Sequence, residues 1–219
     1  MIPENFKYKL FGRFKGRKRN YKIFENNHKK YEIDLNKKID KSKYNILDIG
    51  SGSGENAIFL SNIFPNAKII TCELFEDGNI NLCNLLIGNN IKNIYLYKGN
   101  VLEFLDKINI DLIFDEIWIL FPDPWPKNRH HKRRLINYSF LLKIHKYLKK
   151  DAKVMIGTDS DSYTQSILLS IYNSREIYSW ENQIVSQWDY NILNLPKTKF
   201  SEKSKKSNRK SIFFILKKI

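Results

Sequence analysis

The sequence lacks the residues and runs that build disulfide-bonded or membrane-spanning proteins. Its 219 residues include only two cysteines, Cys72 and Cys83. Two cysteines cannot form the disulfide framework of a small secreted domain, so this composition is typical of a reducing cytoplasm. No run approaches the roughly 20 apolar residues of a transmembrane helix, and no basic start leads into an apolar segment of signal-peptide length. We therefore expect a soluble cytoplasmic protein with both cysteines in its core.

Acidic residues are scarce relative to basic ones. The chain has 23 Asp and Glu against 38 Lys and Arg, which gives a formal net charge of +15 at pH 7. The sequence is rich in Lys, Asn and Ile together, and this general bias accounts for many of the lysines as solvated surface. Arginine is more informative, because its planar guanidinium makes bidentate contacts with phosphates. Six of the eight arginines fall in two clusters, which predicts an RNA or DNA partner. They are Arg13, Arg17 and Arg19, then Arg129, Arg133 and Arg134.

The first cluster belongs to residues 1–30, a segment that contains GRFKGRKRNY and shows no sustained apolar period. Such a composition predicts a basic, flexible N-terminal arm that becomes ordered on a polyanion. An inert solvated tail is the alternative.

From Tyr44 onward, short apolar runs alternate with segments of helical periodicity. This alternation predicts an α/β fold, in which a doubly wound, mostly parallel sheet of seven strands forms a single domain over residues 31–219. The predicted strands are YNILDIG, AKIITCE, NIYLYKGN, DEIWILF, AKVMIGTD, an extended segment at 176–190, and SIFFILKK. The predicted helices are ENAIFLSNIF, DGNINLCNLLIGNN, VLEFLDKI, about 134–149 and about 161–172. A polar, basic insertion near 196–211 precedes the last strand, and a long insertion of this kind is functional or mobile.

The motif DIGSGSGE at 48–55 forms the turn from the first strand to the first helix. Gly50, Gly52 and Gly54 let a ligand approach the backbone and the helix N-terminus. A dinucleotide fingerprint would read G-x-G-x-x-G, whereas here the third glycine comes one residue early and Glu55 follows it. An acid is unsuited to a pyrophosphate but suits a ligand with an amino group and a cationic sulfur. The motif therefore favours S-adenosylmethionine over a nicotinamide cofactor.

Two further polar residues follow the next two predicted strands. Glu73 is placed to accept hydrogen bonds from two ribose hydroxyls, and Asn100 would lie within reach of an adenine edge. Either residue alone is as well explained as a helix cap or a surface residue. Their placement with Asp48 at three successive strand ends favours a common site.

The stretch FPDPWPKNRHHKRRL at 121–135 sets one carboxylate in a proline-rich turn and follows it with a dense basic run. Asp123 lies between Pro122 and Pro124, and each proline restricts its own backbone and that of the preceding residue. We therefore expect a stiff turn at the carboxyl end of a strand, where open α/β sheets bind their ligands. Phe121 and Trp125 are predicted either to stack on a flipped base or to pack in the core.

With these motifs in place, the sequence resembles the bacterial tRNA (guanine-N7-)-methyltransferase family over nearly its whole length. The resemblance lies in DIGSGSGE, CE at 72–73, FPDPWPKNRHHKRRL, GTD at 157–159 and TKFSEK at 198–203. It implies a class I methyltransferase fold whose last strand is antiparallel. It also implies methyl transfer from S-adenosylmethionine to N7 of guanine 46 in the variable region of tRNA, with S-adenosylhomocysteine as the second product. No metal or membrane is expected, and a monomer and a homodimer are both open.

The resemblance also implies roles for individual residues. Asp123 is the catalytic candidate, and the implied cofactor contacts are Asp48, Gly50, Gly52, Gly54, Glu55, Glu73, Asn100 and Asp123. The implied substrate contacts are Lys127, Arg129, His130, His131, Lys132, Arg133, Arg134, Asp159, Thr198, Lys199, Phe200, Ser201 and Glu202. Both histidines are expected to touch phosphate or solvent, because the reaction has no proton to move. The sequence has Asp48 where the family more often has Glu, Asn100 where it more often has Asp, and Ser201 where Glu is expected, so Glu202 is a candidate replacement.

Two other functions fit parts of this pattern. The PDPW turn resembles the D-P-P-Y turn of methyltransferases that modify the amino group of adenine or cytosine in RNA or DNA. A non-catalytic RNA-binding subunit of a methyltransferase complex would also retain the fold and the basic surface. The basic run after PDPW favours the guanine reading.

Overall fold

The structure, a computed structural model, describes residues 28–37, 39–108, 110–190 and 195–219. The basic arm predicted over residues 1–30 therefore lies almost entirely outside the described residues. Seven strands are described: β1 (Asn45–Ile49), β2 (Lys68–Glu73), β3 (Ile94–Lys98), β4 (Phe114–Leu120), β5 (Leu148–Thr158), β6 (Tyr178–Trp180) and β7 (Ile212–Lys218). The α-helices between them are α1 (Glu55–Ile63), α2 (Glu76–Gly88), α3 (Val101–Ile108), α4 (Tyr138–His145), α5 (Asp161–Asn173) and α6 (Lys199–Lys206).

The strands form one sheet in the order β3-β2-β1-β4-β5-β7-β6. The first five strands pair in parallel, and β7 is antiparallel to both β5 and β6. The predicted α/β class, the seven strands and the antiparallel last strand are confirmed. Among the described residues, no helix has the length and apolar character needed to cross a bilayer.

The hydrophobic core has two layers, one on each face of the sheet. Within β1 every residue is buried, and Ile46 and Leu47 point into opposite layers. Burial on both faces is expected of a parallel strand covered by helices on each side. Helices α1 and α2 pack through residues such as Leu60 and Leu82 on one face, whereas α3, α4 and α5 cover the other.

Three predicted segments differ from the structure in extent. The helix predicted over about 134–149 begins only at Tyr138, because the Asn137 side chain caps it by accepting a hydrogen bond from Phe140 N. It ends at His145 because Leu148 already pairs with β4. The extended segment at 176–190 contains only the short strand β6 and a 3-10 turn at Val185–Trp188. The basic insertion near 196–211 contains a helix, α6, which its polar sequence does not predict.

The order of the strands determines where the site lies. Strands β1 and β4 are neighbours in register, with Ile49 beside Ile119, yet their chains leave for opposite sides of the sheet. Such a switch point opens a crevice at the carboxyl ends of the strands. The glycine-rich turn follows β1 and the PDPW turn follows β4, so the fold brings both motifs to one crevice.

Candidate active site

The glycine-rich turn uses backbone conformations that other residues avoid. Gly50, Gly52 and Gly54 have φ angles of 71°, 56° and 93°. A Cβ atom on Gly54 would lie 2.6 Å from a methyl carbon of Leu82, so α2 also requires glycine there. Gly54 directly precedes α1, and Glu55 places a negative charge in the first turn, where the helix dipole stabilises it.

Asp48 lies beneath this turn and is 1% exposed. Its Oδ1 accepts a hydrogen bond of 2.8 Å from Asn56 Nδ2, on the first turn of α1. Burial raises the pKa of Asp48 to about 7, although the Asn56 hydrogen bond works in the opposite direction. Three buried oxygens around the turn, Asp48 Oδ2, Asn56 Oδ1 and Ser51 Oγ, have no hydrogen-bond partner among the described residues. Unsatisfied buried acceptors are costly, so this cluster fits a ligand that carries donors such as an ammonium group.

The polar residues at the next two strand ends, Glu73 and Asn100, take part in backbone contacts. Glu73 accepts hydrogen bonds from Gly52 N at 2.8 Å and from Phe75 N at 2.7 Å, so it fixes the glycine turn to the end of β2. Asn100 Oδ1 accepts from Leu102 N at 2.7 Å and caps α3. Because a carboxylate has about four acceptor sites, Glu73 keeps capacity for ribose hydroxyls.

The PDPW turn is bracketed by two residues in the left-handed region, Phe121 with φ of 52° and Trp125 with φ of 43°. Such angles are uncommon outside glycine and persist only where the surroundings enforce them. Phe121 is buried, donates its N–H to Gly157 O, and packs against the ring of Tyr190 at 5.5 Å. Trp125 lies between the guanidinium of Arg133, at 5.0 Å, and the ring of His130, at 5.8 Å.

Asp123 is exposed at the tip of this turn. Burial raises the pKa of the Tyr163 phenol to about 12, and the nearby charge of Asp123 adds to the effect. The small cavity beside the glycine turn is lined by Leu120 and Phe121 and does not include Asp123 in its lining. The catalytic and cofactor roles of Asp123 therefore stay predictions.

The basic run forms a 3-10 turn at Asn128–Arg133. Lys127, Arg129 and Lys132 are exposed, and His130, His131 and Arg133 are partly exposed. Desolvation, followed by the repulsion of nearby arginines and lysines, lowers the pKa of His130. His130 is therefore mostly neutral at pH 7, and the positive field comes from the arginines and lysines.

Arg134 does not belong to this surface, and its predicted contact with RNA is wrong. The residue is 4% exposed, and its guanidinium donates to Pro124 O at 2.8 Å, Ser162 O at 2.9 Å, Ser162 Oγ at 2.9 Å and Ser166 Oγ at 2.5 Å. It also stacks on the ring of Tyr163 at 5.0 Å. Arg134 thus ties the PDPW turn to α5.

The TKFSEK motif begins α6 and closes over the glycine turn. Thr198 Oγ1 accepts from Ser201 N, and Ser201 Oγ accepts from Thr198 N, which forms a reciprocal capping box. Lys199 Nζ donates to Ser53 Oγ at 2.6 Å and lies 3.7 Å from Glu55 Oε1. Ser201 therefore stabilises the start of the helix, a role that a glutamate side chain fills differently.

Two residues of this motif line the small cavity of about 20 Å³ under the glycine turn. Thr198 and the half-exposed Phe200 meet Asp48, Gly50 and Gly52 there. Glu202 lies outside this cavity, in the lining of a larger one of about 380 Å³ beside it. The structure thus brings the glycine turn, Asp48, Phe121 and the start of α6 together.

Asp159 follows β5 and holds α6 in place. Its Oδ2 accepts from Ser204 Oγ at 2.5 Å and from Arg209 Nε at 2.9 Å. Sequence reasoning predicted Asp159 but missed its two partners, and it also missed Asn56 beside Asp48. Asn56 had a usable signal, since a polar residue in the first turn of a helix after a glycine loop faces the same crevice. Arg209 had none, because it lies within a run of lysines and serines.

Comparison with solved structures identifies the class of fold. A "putative methyltransferase" from Streptococcus mutans in complex with SAH matches with a TM-score of 0.53 at 16% identity, covering 90% of this chain and 97% of that one. An rRNA methylase from Streptococcus thermophilus matches with a TM-score of 0.53 at 15% identity, covering 90% and 96%. At these identities the likeness shows the fold alone, which is that of the class I methyltransferases.

Sequence comparison then defines the family. A family model described as "putative methyltransferase" matches residues 42–214. The tRNA (guanine-N(7)-)-methyltransferase of Buchnera aphidicola is 33% identical over 190 residues, which cover 85% of this chain and 78% of the relative. That of Zymomonas mobilis is 31% identical over 167 residues, covering 76% and 71%. This chain belongs to the tRNA (guanine-N(7)-)-methyltransferase family.

Proposed function

We propose that this protein transfers a methyl group from S-adenosylmethionine to N7 of guanine 46 in the variable region of cytoplasmic tRNA. The observation that carries the proposal is the unsatisfied Asp48 carboxylate beneath a glycine turn, at the crevice where the PDPW turn and a basic surface also emerge. Family membership supports the guanine N7 target over an amino group of adenine or cytosine.

The residues around the glycine turn fit the cofactor. Asp48 Oδ2, Ser51 Oγ and Asn56 Oδ1 offer acceptors to its ammonium group, and Glu73 offers acceptors to its ribose. The glycines let its chain approach the backbone without a side chain in the way. When bound, S-adenosylmethionine supplies an electrophilic methyl group on a sulfonium.

The chemistry of guanine N7, the atom that accepts the methyl group, determines which catalytic tasks the protein has to perform. Guanine N7 has a free lone pair and no proton at neutral pH, so the reaction needs alignment rather than a base. Holding two reactants in line can contribute up to about 7–11 kcal/mol relative to free encounter. As the methyl group moves, positive charge develops on the imidazole ring of the base, and a fixed carboxylate nearby stabilises it. Asp123, in a turn that prolines and Arg134 hold in place, is our candidate for that carboxylate.

The direct test of this function is nucleoside analysis of unmodified tRNA before and after incubation with the purified chain and S-adenosylmethionine. We expect 7-methylguanosine, located in the variable region. N6-methyladenosine or a methylated cytosine would instead support the amino-methyltransferase alternative. No product from the isolated chain, with tRNA binding intact, would support the RNA-binding subunit.

Asp123 has its own test. We expect Asp123→Ala to reduce turnover at least 100-fold while tRNA affinity changes less than threefold, because the carboxylate acts on charge that develops only during transfer. Asp161→Ala, which removes an exposed carboxylate at the start of α5, is the matched control and should retain near-normal turnover. Near-normal turnover of Asp123→Ala would show that the assigned role is wrong.

A further inference from the structure

A second cavity lies beside the small cavity under the glycine turn and is lined almost entirely by charged side chains. It has a volume of about 380 Å³ and shares Glu55 and Thr198 with the small cavity under the glycine turn. The rest of its lining is Lys197, Lys199, Glu202, Lys203 and Lys206. A space of this size beside the proposed methyl-transfer site is large enough for a backbone phosphate of the RNA strand that carries the target base.

The charge balance of this cavity is positive. Lys199 is engaged with Ser53 and Glu55, which leaves Lys197, Lys203 and Lys206 facing the single carboxylate of Glu202. These three lysines are exposed, and none forms an ion pair with another described residue. Lys199, Lys203 and Lys206 follow the helical spacing that places side chains on one face. An anion that enters the cavity would therefore meet ammonium groups that have no ion-pair partner among the described residues.

Helix α6, which carries Lys203 and Lys206, is fixed at both ends. The Thr198–Ser201 capping box fixes its start, and Asp159 holds its end through Ser204 and Arg209. Arg209 N also donates to Ser204 O at 2.9 Å. Because the backbone is ordered in advance, binding costs only the ordering of lysine side chains, about 0.5–1.5 kcal/mol each.

We propose that this cavity, the α6 lysine site, binds backbone phosphates of the tRNA strand next to the target guanine. The inference rests on the proposed function for the identity of the RNA. Separate ammonium groups on a rigid face suit phosphates spaced along a strand, since lysine acts as a point charge. The shared wall at Glu55 and Thr198 places those phosphates directly beside the glycine turn and Asp48, which carry the proposed cofactor contacts.

The test compares two triple variants that lose the same charge. The first is Lys197→Gln/Lys203→Gln/Lys206→Gln, which leaves only Lys199 of the four lysines at the α6 lysine site. The control is Lys41→Gln/Lys92→Gln/Lys150→Gln, at exposed lysines close to the amino ends of β1, β3 and β5, on the opposite edge of the sheet. Binding of an unmodified tRNA transcript is measured between about 50 and 200 mM salt, together with S-adenosylhomocysteine binding and thermal unfolding.

Each phosphate contact adds about 0.7–0.9 to the slope of log affinity against log salt. We expect the α6 variant to lose about 2 from that slope and at least tenfold in tRNA affinity at low salt. The control should lose less than 0.5, and neither variant should change S-adenosylhomocysteine affinity or the melting temperature. Under saturating tRNA, the α6 variant should recover most of its turnover, because its defect lies in the Michaelis constant.

Equal losses in the two triple variants would overturn the α6 lysine site, because net charge alone would explain them. A wild-type protein that methylates tRNA while the α6 variant binds normally would overturn the site and leave the proposed function intact. A wild-type protein that yields no 7-methylguanosine, with the slope still falling by about 2 in the α6 variant, would support the site and overturn the function. If the wild-type protein bound an acidic peptide through these lysines but did not bind tRNA, the surface would be a protein-binding site instead.

Discussion

The Asp48 carboxyl is nearly inaccessible and has one hydrogen-bond donor, Asn56, although a carboxylate can accept about four bonds. Its pKa is raised from 3.8 to about 7, mainly by burial. Between these two values the folded protein keeps a proton that the unfolded chain releases. Stability therefore falls as the pH rises from about 4 to 7. Burying this carboxyl therefore costs the folded protein stability near neutral pH, as expected of a group that serves a ligand.

We expect Asp48→Asn to raise the melting temperature by a few degrees at pH 8 and to leave it nearly unchanged at pH 4. The amide removes the buried charge and can still accept from Asn56 Nδ2. The same variant should bind S-adenosylhomocysteine about 10–100-fold more weakly, because it loses a charge-assisted hydrogen bond. Thermal unfolding and ligand titration at the two pH values provide the measurements.

The control for this prediction is Asp111→Asn, which removes an exposed carboxylate that pairs with Lys146 before β4. It should change neither quantity appreciably. If Asp48→Asn lowered the melting temperature at pH 8 and left ligand affinity intact, Asp48 would be a structural residue and not a ligand contact.

Helix α6 illustrates how a short element can be fixed by polar contacts alone. Only Ser204 is buried among its residues, so packing of an apolar stripe contributes almost nothing. Its position over the glycine turn comes from the capping box, the Lys199 contacts and the Asp159–Arg209 ion pair. We infer that Arg209 is a positioning residue for this helix.

Removing the Arg209 guanidinium should loosen α6 without unfolding the domain, since the side chain is half-exposed. We expect Arg209→Gln to raise the Michaelis constant for tRNA several-fold and to weaken S-adenosylhomocysteine binding, with kcat changing less. Lys210→Gln removes one positive charge from the same segment and should change neither value by more than about twofold. Arg209→Lys should restore part of the loss, because an ammonium can still reach Asp159. A fall in kcat alone would argue against a positioning role.

The elements that sequence could predict are those whose apolar period is strong. The five parallel strands and the helices that cover them follow from buried runs such as NILDI and FDEIWIL. Helix α6 escaped prediction because KFSEKSKK has no apolar stripe, and its capping box uses serine where a glutamate or glutamine is the usual signal. Polar contacts between distant segments, such as Ser204 with Asp159, leave no local periodicity to detect.

The residues of the candidate site were predictable where they directly follow a strand that has a strong apolar pattern. The glycine turn, Asp48 and Glu73 could be located because each follows a recognisable strand. Arg134 could not be separated from its basic neighbours, since burial depends on α5, a segment almost thirty positions further along. The sequence shows which side chains are charged, whereas the fold determines which of them face solvent.

At the scale of the whole molecule, two basic surfaces flank one crevice. The first is the turn after β4 with Lys127, Arg129 and Lys132, and the second is the α6 lysine site. Both lie at the carboxyl edge of the sheet, so a folded RNA that presents a base to the crevice can contact the two together. The proposed RNA contacts of the described residues therefore lie along one edge of the sheet.

Because each phosphate contact releases its own counterions, the two surfaces should act additively. We expect Arg129→Gln/Lys132→Gln to reduce the salt slope of tRNA binding by about 1.5, and its combination with the α6 triple variant to reduce it by about 3.5. The melting temperature should stay within about 2 °C of wild type, since all five side chains are exposed. A combined loss no larger than that of either variant alone would show that the RNA uses only one surface at a time.

The pairing of β1 with β4 has a consequence for how freely this protein can change. The glycine-rich turn follows β1 and the PDPW turn follows β4. These two strands are adjacent, and main-chain hydrogen bonds set their register. Replacing surface side chains leaves these main-chain hydrogen bonds in place, so the surface can be rich in lysine and asparagine while the two turns keep their spacing. Most of the surface composition can therefore change without moving the glycine turn and the PDPW turn apart.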